Sequence, residues 1–364
     1  MQLSSTLTWL IDTAAGAPGA DKFLAELGTR LIRDGVPLVG GALTLTVPDP
    51  LIARRTWLWR ADTDVVIESL AFASGGLPGM APAPNSGGAG RSWLAALGAE
   101  SVQEDVIGRA AEAPAFGWTG SRPFTPAEAG RLSEAARFAA APLAALSARA
   151  TLSAALEAYL GRRSAARVLA GPIRRQVGET IRAALLFADL RGFTALSETT
   201  APAAVIAALD AWFDCVAGSV HAFGGEVLKF IGDGVLAIFP VTGASPREAC
   251  DAALRAVSSA RAGMAHLGTE RQAKGLPPLA FGAALHVGDI LWGNVGAADR
   301  LDFTAIGPAV NLVSRLEGLC RPLERTILIS GAVAAETTAP LIPLGTHDLR
   351  GIASPCAVYT VPDD

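Results

Sequence analysis

Hydrophobic strands and long helices alternate between residues 181 and 287, and two strands there flank a Gly-Asp-Gly link. The order strand, helix, hairpin, helix, strand predicts an α+β chain with a ferredoxin-like βαββαβ core. Shorter helix and strand signals before residue 120 add a small amino-terminal α+β domain. A length of 364 residues exceeds one typical core, so two domains are expected.

The first domain opens on residues 20–34, where Phe23, Leu24, Leu27, Leu31 and Ile32 recur near helical spacing. Strand-like segments follow at 36–46, 52–60 and 64–70. Residues 73–90, rich in Gly, Pro, Ala, Asn and Ser, predict a loop. Thr125, Pro126 and Glu128 form a helix start in which Thr125 caps, Pro126 takes the first position and Glu128 completes a capping box. That helix is expected to run to about residue 159. It is alanine-rich, with high helix propensity and little apolar bulk. It therefore either packs on its own domain or serves as a signalling helix at a dimer seam. The organisation read from these signals is residues 1–120 as a regulatory α+β domain, 121–170 as linker and signalling helices, and 171–364 as the functional domain.

In that last part strands are expected at 181–189, 226–231, 234–239, 279–287, 326–330 and 356–361, with a strand or turn near 289–303. Helices are expected at 202–222, 245–265 and 308–319. The glycines of Gly232-Asp233-Gly234 favour a tight hairpin. In the ferredoxin-like topology the first strand lies beside that hairpin, which places Asp189, at the end of its strand, near Asp233.

Composition narrows the function classes. A formal charge of -4 and a pI near 5.7 argue against nucleic-acid binding, which calls for a basic face. Long apolar stretches are interrupted by charges and the amino terminus lacks a basic region before its apolar run, so neither a membrane span nor a secretory signal is expected, and a cytoplasmic protein is. The four cysteines, Cys215, Cys250, Cys320 and Cys356, are too scattered for a zinc site and are read as buried thiols. Any metal should then be a hard ion on oxygen ligands.

Two facing carboxylates repel each other unless one is protonated or cations lie between them. A pair of divalent cations there suits phosphoryl or nucleotidyl transfer. Gly192 allows a tight turn after Asp189, and the amides of residues 190–194 lead into a helix where phosphate could sit. Lys229, one of only three lysines, lies four residues before Asp233 and offers a compact donor suited to a ring nitrogen. Pro308 suits a first helical turn, so Asn311 and Arg315 share one helix face, where an amide and a guanidinium can fix a ribose oxygen and offset charge on a phosphate. Taken alone, Lys229 or the Asn311 and Arg315 pair would more often be ordinary surface groups, and Asp189 would as readily be a capping or turn residue.

Together FADLRGFTALSE, GGEVLKFIGDGVLAIF, FGAALHVGDILWGNVG and DFTAIGPAVNLVSRLE resemble the catalytic domain of class III nucleotidyl cyclases, the adenylate and guanylate cyclases. These motifs cover residues 181–320, and YLGRRSAARVLAGPIRR resembles the approach segment of bacterial members. Residues 36–150 resemble a GAF-type sensor, whose input would be a small molecule or a partner protein.

The resemblance implies a homodimer with nucleotide between two catalytic domains. Asp189, Asp233 and the main-chain carbonyl of Leu190 would hold two Mg2+ or Mn2+ ions. Lys229 and Thr304 of the other subunit would read adenine, Asn311 and Arg315 would orient ribose and stabilise the transition state, and Arg350 would bind phosphate. The implied reaction is attack of the ATP ribose 3′-hydroxyl on the α-phosphorus, giving 3′,5′-cyclic AMP and pyrophosphate. Guanylate-specific members carry a Glu/Cys combination at the base-reading positions, so the Lys229/Thr304 pattern implies ATP. Pro308 departs from the aspartate common in bacterial members. Alternatives are a guanylate cyclase or a catalytically idle cyclase-like module for dimerisation or nucleotide sensing. A diguanylate cyclase lacks its loop motif here, and an oligonucleotide-binding sheet lacks its aromatic pair and basic charge.

Overall fold

Two separate β-sheets organise the chain in the computed structural model, which describes residues 3–46, 52–72, 88–97, 102–108, 113–171, 178–297 and 299–362. The chain divides into two compact units, Met1–Ala155 and Leu156–Asp364.

The first unit contains α1 (Ser5–Asp12), α2 (Ala20–Arg33), β1 (Leu38–Thr46), β2 (Ile52–Arg60), β3 (Val66–Phe72), α3 (Gly88–Ala96), β4 (Val102–Val106), β5 (Ala115–Gly120), α4 (Pro126–Phe138) and most of α5 (Ala140–Leu160). Its sheet is antiparallel, in the order β3-β2-β1-β5-β4. The apolar stripe of α2 buries Phe23, Leu24, Leu27 and Leu31 on this sheet. Gly28 is forced by packing, because a Cβ there would stand 2.2 Å from the Trp59 ring. Most of the loop expected at 73–90 lies outside the described residues.

The capping box at Thr125 is present, with Glu128 N–H donating to Thr125 and Thr125 N–H donating to the Glu128 carboxylate. The single helix expected from there to about 159 is instead two, α4 and α5, bent by 42°. Pro142 explains the break: it has no N–H for the Phe138 carbonyl four residues back, and its ring crowds that carbonyl. Leu132, Ala135, Leu143 and Leu146 of these helices pack into the first unit's core, whereas Leu152 and Tyr159 further along α5 are exposed.

The second unit follows with α6 (Arg162–Ala170), β6 (Gly178–Leu190), α7 (Phe193–Thr199), α8 (Pro202–Ala222), β7 (Glu226–Ile231), β8 (Gly234–Pro240), α9 (Arg247–Ala273), β9 (Phe281–Gly296), β10 (Leu301–Ile306), α10 (Pro308–Glu317), β11 (Ile327–Ser330), α11 (Gly331–Ala334), β12 (Ile342–His347) and β13 (Cys356–Thr360). The sheet order β12-β13-β11-β9-β6-β8-β7 contains the ferredoxin-like arrangement β9-β6-β8-β7, all antiparallel. β11 joins parallel to β9, and β10 pairs with the distal part of β9. β9 is longer than expected and runs through 289–296 as one strand.

Both faces of this sheet are covered. One carries α8 and α9, with Trp212, Val216, Val257 and Met264 against Leu186, Val235 and Leu285. The other carries α10, with Val313 and Leu316 against Leu185, Ile238 and Leu328. Burial on both faces explains why strands such as Ala183–Leu186 read as continuous apolar runs. Among the described residues α8 is long and apolar enough to cross a membrane, as is the bent α4–α5 pair taken together. All four cysteines are free.

Candidate active site

Asp189 occupies the penultimate position of β6, opposite Gly282 of β9. Asp233 lies in the two-residue link between β7 and β8, where Gly232 takes a φ of +63°. Because β8 pairs with β6, this link comes beside the end of β6. A Cβ placed on Gly234 would lie 3.5 Å from Asp189 Oδ1. The sheet therefore brings Asp189 and Asp233 together, close enough for each carboxylate to disfavour ionisation of the other.

Burial pushes the Asp189 carboxyl up to about 7, helped by the neighbouring Asp233 carboxylate and the nearby Glu317; the Leu190 N–H opposes them. The metal-free pair thus retains a proton at pH values where a lone aspartate has lost it. Glu317, at the end of α10, is also shifted upward, chiefly by burial, with Arg191 pulling the other way. Its carboxylate stands where Gly282 has no side chain, 2.4 Å from a Cβ built there, so any larger residue at 282 would displace it.

Among the described residues no three His, Cys, Asp or Glu side chains form a metal-ligating group. Asp189 and Asp233 are therefore the side chains available to a cation here. Their chemistry fits a hard divalent ion: two oxygen donors held close at a cost that a positive charge would remove. Leu190 is buried and contributes only main-chain groups. After it, Arg191 N–H donates to the Ala280 carbonyl at 2.8 Å, and Gly192 turns the chain into α7 with a φ of +76°.

A second group gathers around β7 and β10. Lys229 Nζ donates to the Asp302 carboxylate, linking the two strands. Thr304 lies two residues beyond Asp302 on β10, on the same side of the strand. Asp302 escaped the sequence reading because its partner is 73 residues away. The available signal was its place two residues before Thr304 in DFTAIG, on the same strand face.

Gly307, with a φ of +141°, turns β10 into α10, and Pro308 takes the first helical turn as expected. Asn311 and Arg315 are both exposed, four residues apart on one face of α10. Arg350 lies on an exposed turn after β12. The sheet sets the two carboxylates side by side and Lys229 bonds directly to Asp302; Asn311, Arg315 and Arg350 stand open to solvent.

β7 is anchored at its other end. Glu226, 4% exposed, accepts hydrogen bonds of 3.0 Å from Ser164 N–H and 3.0 Å from Ser164 Oγ–H, at the start of α6. Gly161, at φ +81°, leaves room for this carboxylate, since a Cβ there would stand 2.9 Å from Glu226 Oε1.

Residues 176–342 match the family described as the adenylate and guanylate cyclase catalytic domain. Adenylate cyclase 1 of Rhizobium meliloti is 34% identical over 178 residues, covering 48% of this chain and 27% of that protein. Adenylate cyclase 2 of the same organism is 31% identical over 206 residues, covering 56% of this chain and 55% of that protein. The chain thus spans about half or less of these relatives' length. Among solved structures, a bacterial light-regulated adenylyl cyclase is similar in fold, with a TM-score of 0.53 at 23% identity, covering 72% of this chain and 85% of that one.

Proposed function

We propose that the protein, whose residues 176–342 match the adenylate and guanylate cyclase catalytic domain, converts ATP to 3′,5′-cyclic AMP and pyrophosphate as a homodimer. The observation that carries this reading is the double role of one hairpin: β7 directs Lys229 to Asp302 and, four residues on, delivers Asp233 to Asp189.

Asp189, Asp233 and the carbonyl of Leu190 would hold two Mg2+ or Mn2+ ions. Bound there, the ions supply positive charge for the 3′-oxygen and the phosphates. The chain's own groups do the rest. Lys229 offers an N–H donor for adenine N1. Thr304 offers a hydroxyl oxygen to the adenine amino group, and Asp302 keeps the Lys229 ammonium in place. Guanine reverses donor and acceptor at this edge, and each buried mismatch costs about 1–3 kcal/mol.

Asn311 would fix the ribose so that its 3′-hydroxyl faces the α-phosphorus, and Arg315 would offset charge on the transferring phosphate. Both are exposed, as groups awaiting a nucleotide at an interface would be. Since attacker and target belong to one molecule, orientation supplies most of the acceleration and no side-chain nucleophile is required.

The test is product analysis of the purified full chain given ATP or GTP with Mg2+ or Mn2+. Faster formation of cyclic AMP than cyclic GMP supports the reading. Preferential turnover of GTP would make it a guanylate cyclase, and absence of any cyclic product would favour the idle module.

A further inference from the structure

The Trp212 indole N–H donates a 2.8 Å hydrogen bond to the main-chain carbonyl of Asp233. Trp212 is fully buried on α8, with 0% exposure. Its ring stands 5.3 Å from that of Phe281, tilted by 46°, and Phe281 faces Leu190 in the β6–β9 register. One side chain therefore touches the hairpin link that carries Asp233 and a residue paired with the neighbour of Asp189.

The link itself has few buried side chains: Phe230, whose ring lies 4.3 Å from that of Phe213 on α8, is still 48% exposed, Ile231 is 50% exposed, and Gly232 has no side chain. Segments with so few buried contacts open locally at low free energy. A buried indole, in contrast, is held rigidly by its neighbours and needs a partner for its N–H. Here that partner is the carbonyl of the aspartate itself, which leaves the carboxylate free to face Asp189.

We infer that Trp212 is a positioning residue that fixes the Asp233 carboxylate against Asp189 and so sets the divalent-cation affinity of the pair. The inference rests on the two-metal reading above and adds to it the residue through which the α8 layer controls the site.

The experiment titrates the full chain with Mn2+ alone, reading free ion by electron paramagnetic resonance. It compares wild type, Asp189→Ala, Trp212→Phe and a variant with 3-benzothienylalanine at position 212, which keeps the two-ring shape and lacks the N–H. Val216→Ala, one turn along α8 and 1% exposed, serves as the control for simple core damage. Wild type should bind Mn2+ in an Asp189-dependent manner. Both position-212 variants should bind about five- to tenfold more weakly, as loss of one hydrogen bond implies, while Val216→Ala binds as wild type does despite a lower melting temperature. Wild-type affinity in the benzothienylalanine variant, or equal weakening in Val216→Ala, would overturn the role of Trp212 and leave the metal reading standing. Absence of Asp189-dependent Mn2+ binding in the wild type would overturn both.

Discussion

Lys229 and Asp302 are bonded to one another across β7 and β10, so the cation expected to read the substrate base has an anionic partner on the strand that carries Thr304. Both side chains are partly exposed, which screens the pair and limits its contribution to stability. Its consequence is therefore expected in specificity. Asp302→Ala should lower kcat/KM for ATP by about tenfold, and Lys229→Ala by about a hundredfold, following the usual cost of losing charged hydrogen bonds. Because Asp302 acts through Lys229, the double variant should be no worse than Lys229→Ala alone. Steady-state kinetics on the three variants checks this, and additive losses would separate the two residues.

The Asp189–Asp233 pair carries a pH signature in the metal-free protein. The Asp189 carboxyl is raised from 3.8 to about 7. Between those values the native state binds more protons than the unfolded state, so stability falls as pH rises through that window. Thermal unfolding in chelator should show this fall, and Asp189→Asn should flatten it relative to wild type. Added Mn2+ should oppose the fall, since cation and proton compete for the same oxygens. A wild-type slope identical to that of Asp189→Asn would contradict the shared proton.

The contact between Glu226 and Ser164 should matter to folding more than to chemistry. Glu226→Leu leaves two buried donors on Ser164 without an acceptor and should cost about 2–4 kcal/mol, whereas Glu226→Gln keeps an acceptor and should cost about 1 kcal/mol. Gly161→Ala forces a side chain into a positive-φ position against the same carboxylate. It should cost about 1–3 kcal/mol. Urea unfolding of the four proteins ranks these effects; equal stability of Glu226→Leu and Glu226→Gln would remove the hydrogen bonds from the account.

What the sequence reveals and what it hides divide along sequence distance. The run Ala183–Leu186, the Gly232-Asp233-Gly234 link and Pro308 each act within a few residues, so strand, hairpin and helix start were all legible. The order of these elements also sufficed to place Asp189 beside Asp233. The partners of Lys229, Glu226 and Trp212 lie 73, 62 and 21 residues away. Nothing local marks them, and pattern reading missed all three. The bend at Ala139 was missed for another reason: alanine-rich flanks masked the effect of Pro142 on the Phe138 carbonyl.

Exposure of Asn311 and Arg315 predicts that their removal damages catalysis without damaging the fold. Arg315→Ala should reduce kcat by about 100- to 1000-fold, the range for losing a preorganised charge-stabilising donor. KM for ATP and the melting temperature should change little. A large rise in KM at unchanged kcat would assign Arg315 to ground-state binding.

The most direct test of the composite site is cyclic AMP formation by a co-expressed mixture of Asp189→Ala and Arg315→Ala chains, carrying different tags so that assembly can be verified. If each site takes its aspartates from one copy and Arg315 from the other, a mixed dimer holds one intact site and one doubly broken site. Random assortment makes half of all dimers mixed, so the mixture should recover about a quarter of wild-type activity while each variant alone is nearly inactive. Verified mixed dimers that remain as inactive as the single variants, beside an active wild type, would contradict a site shared between two copies.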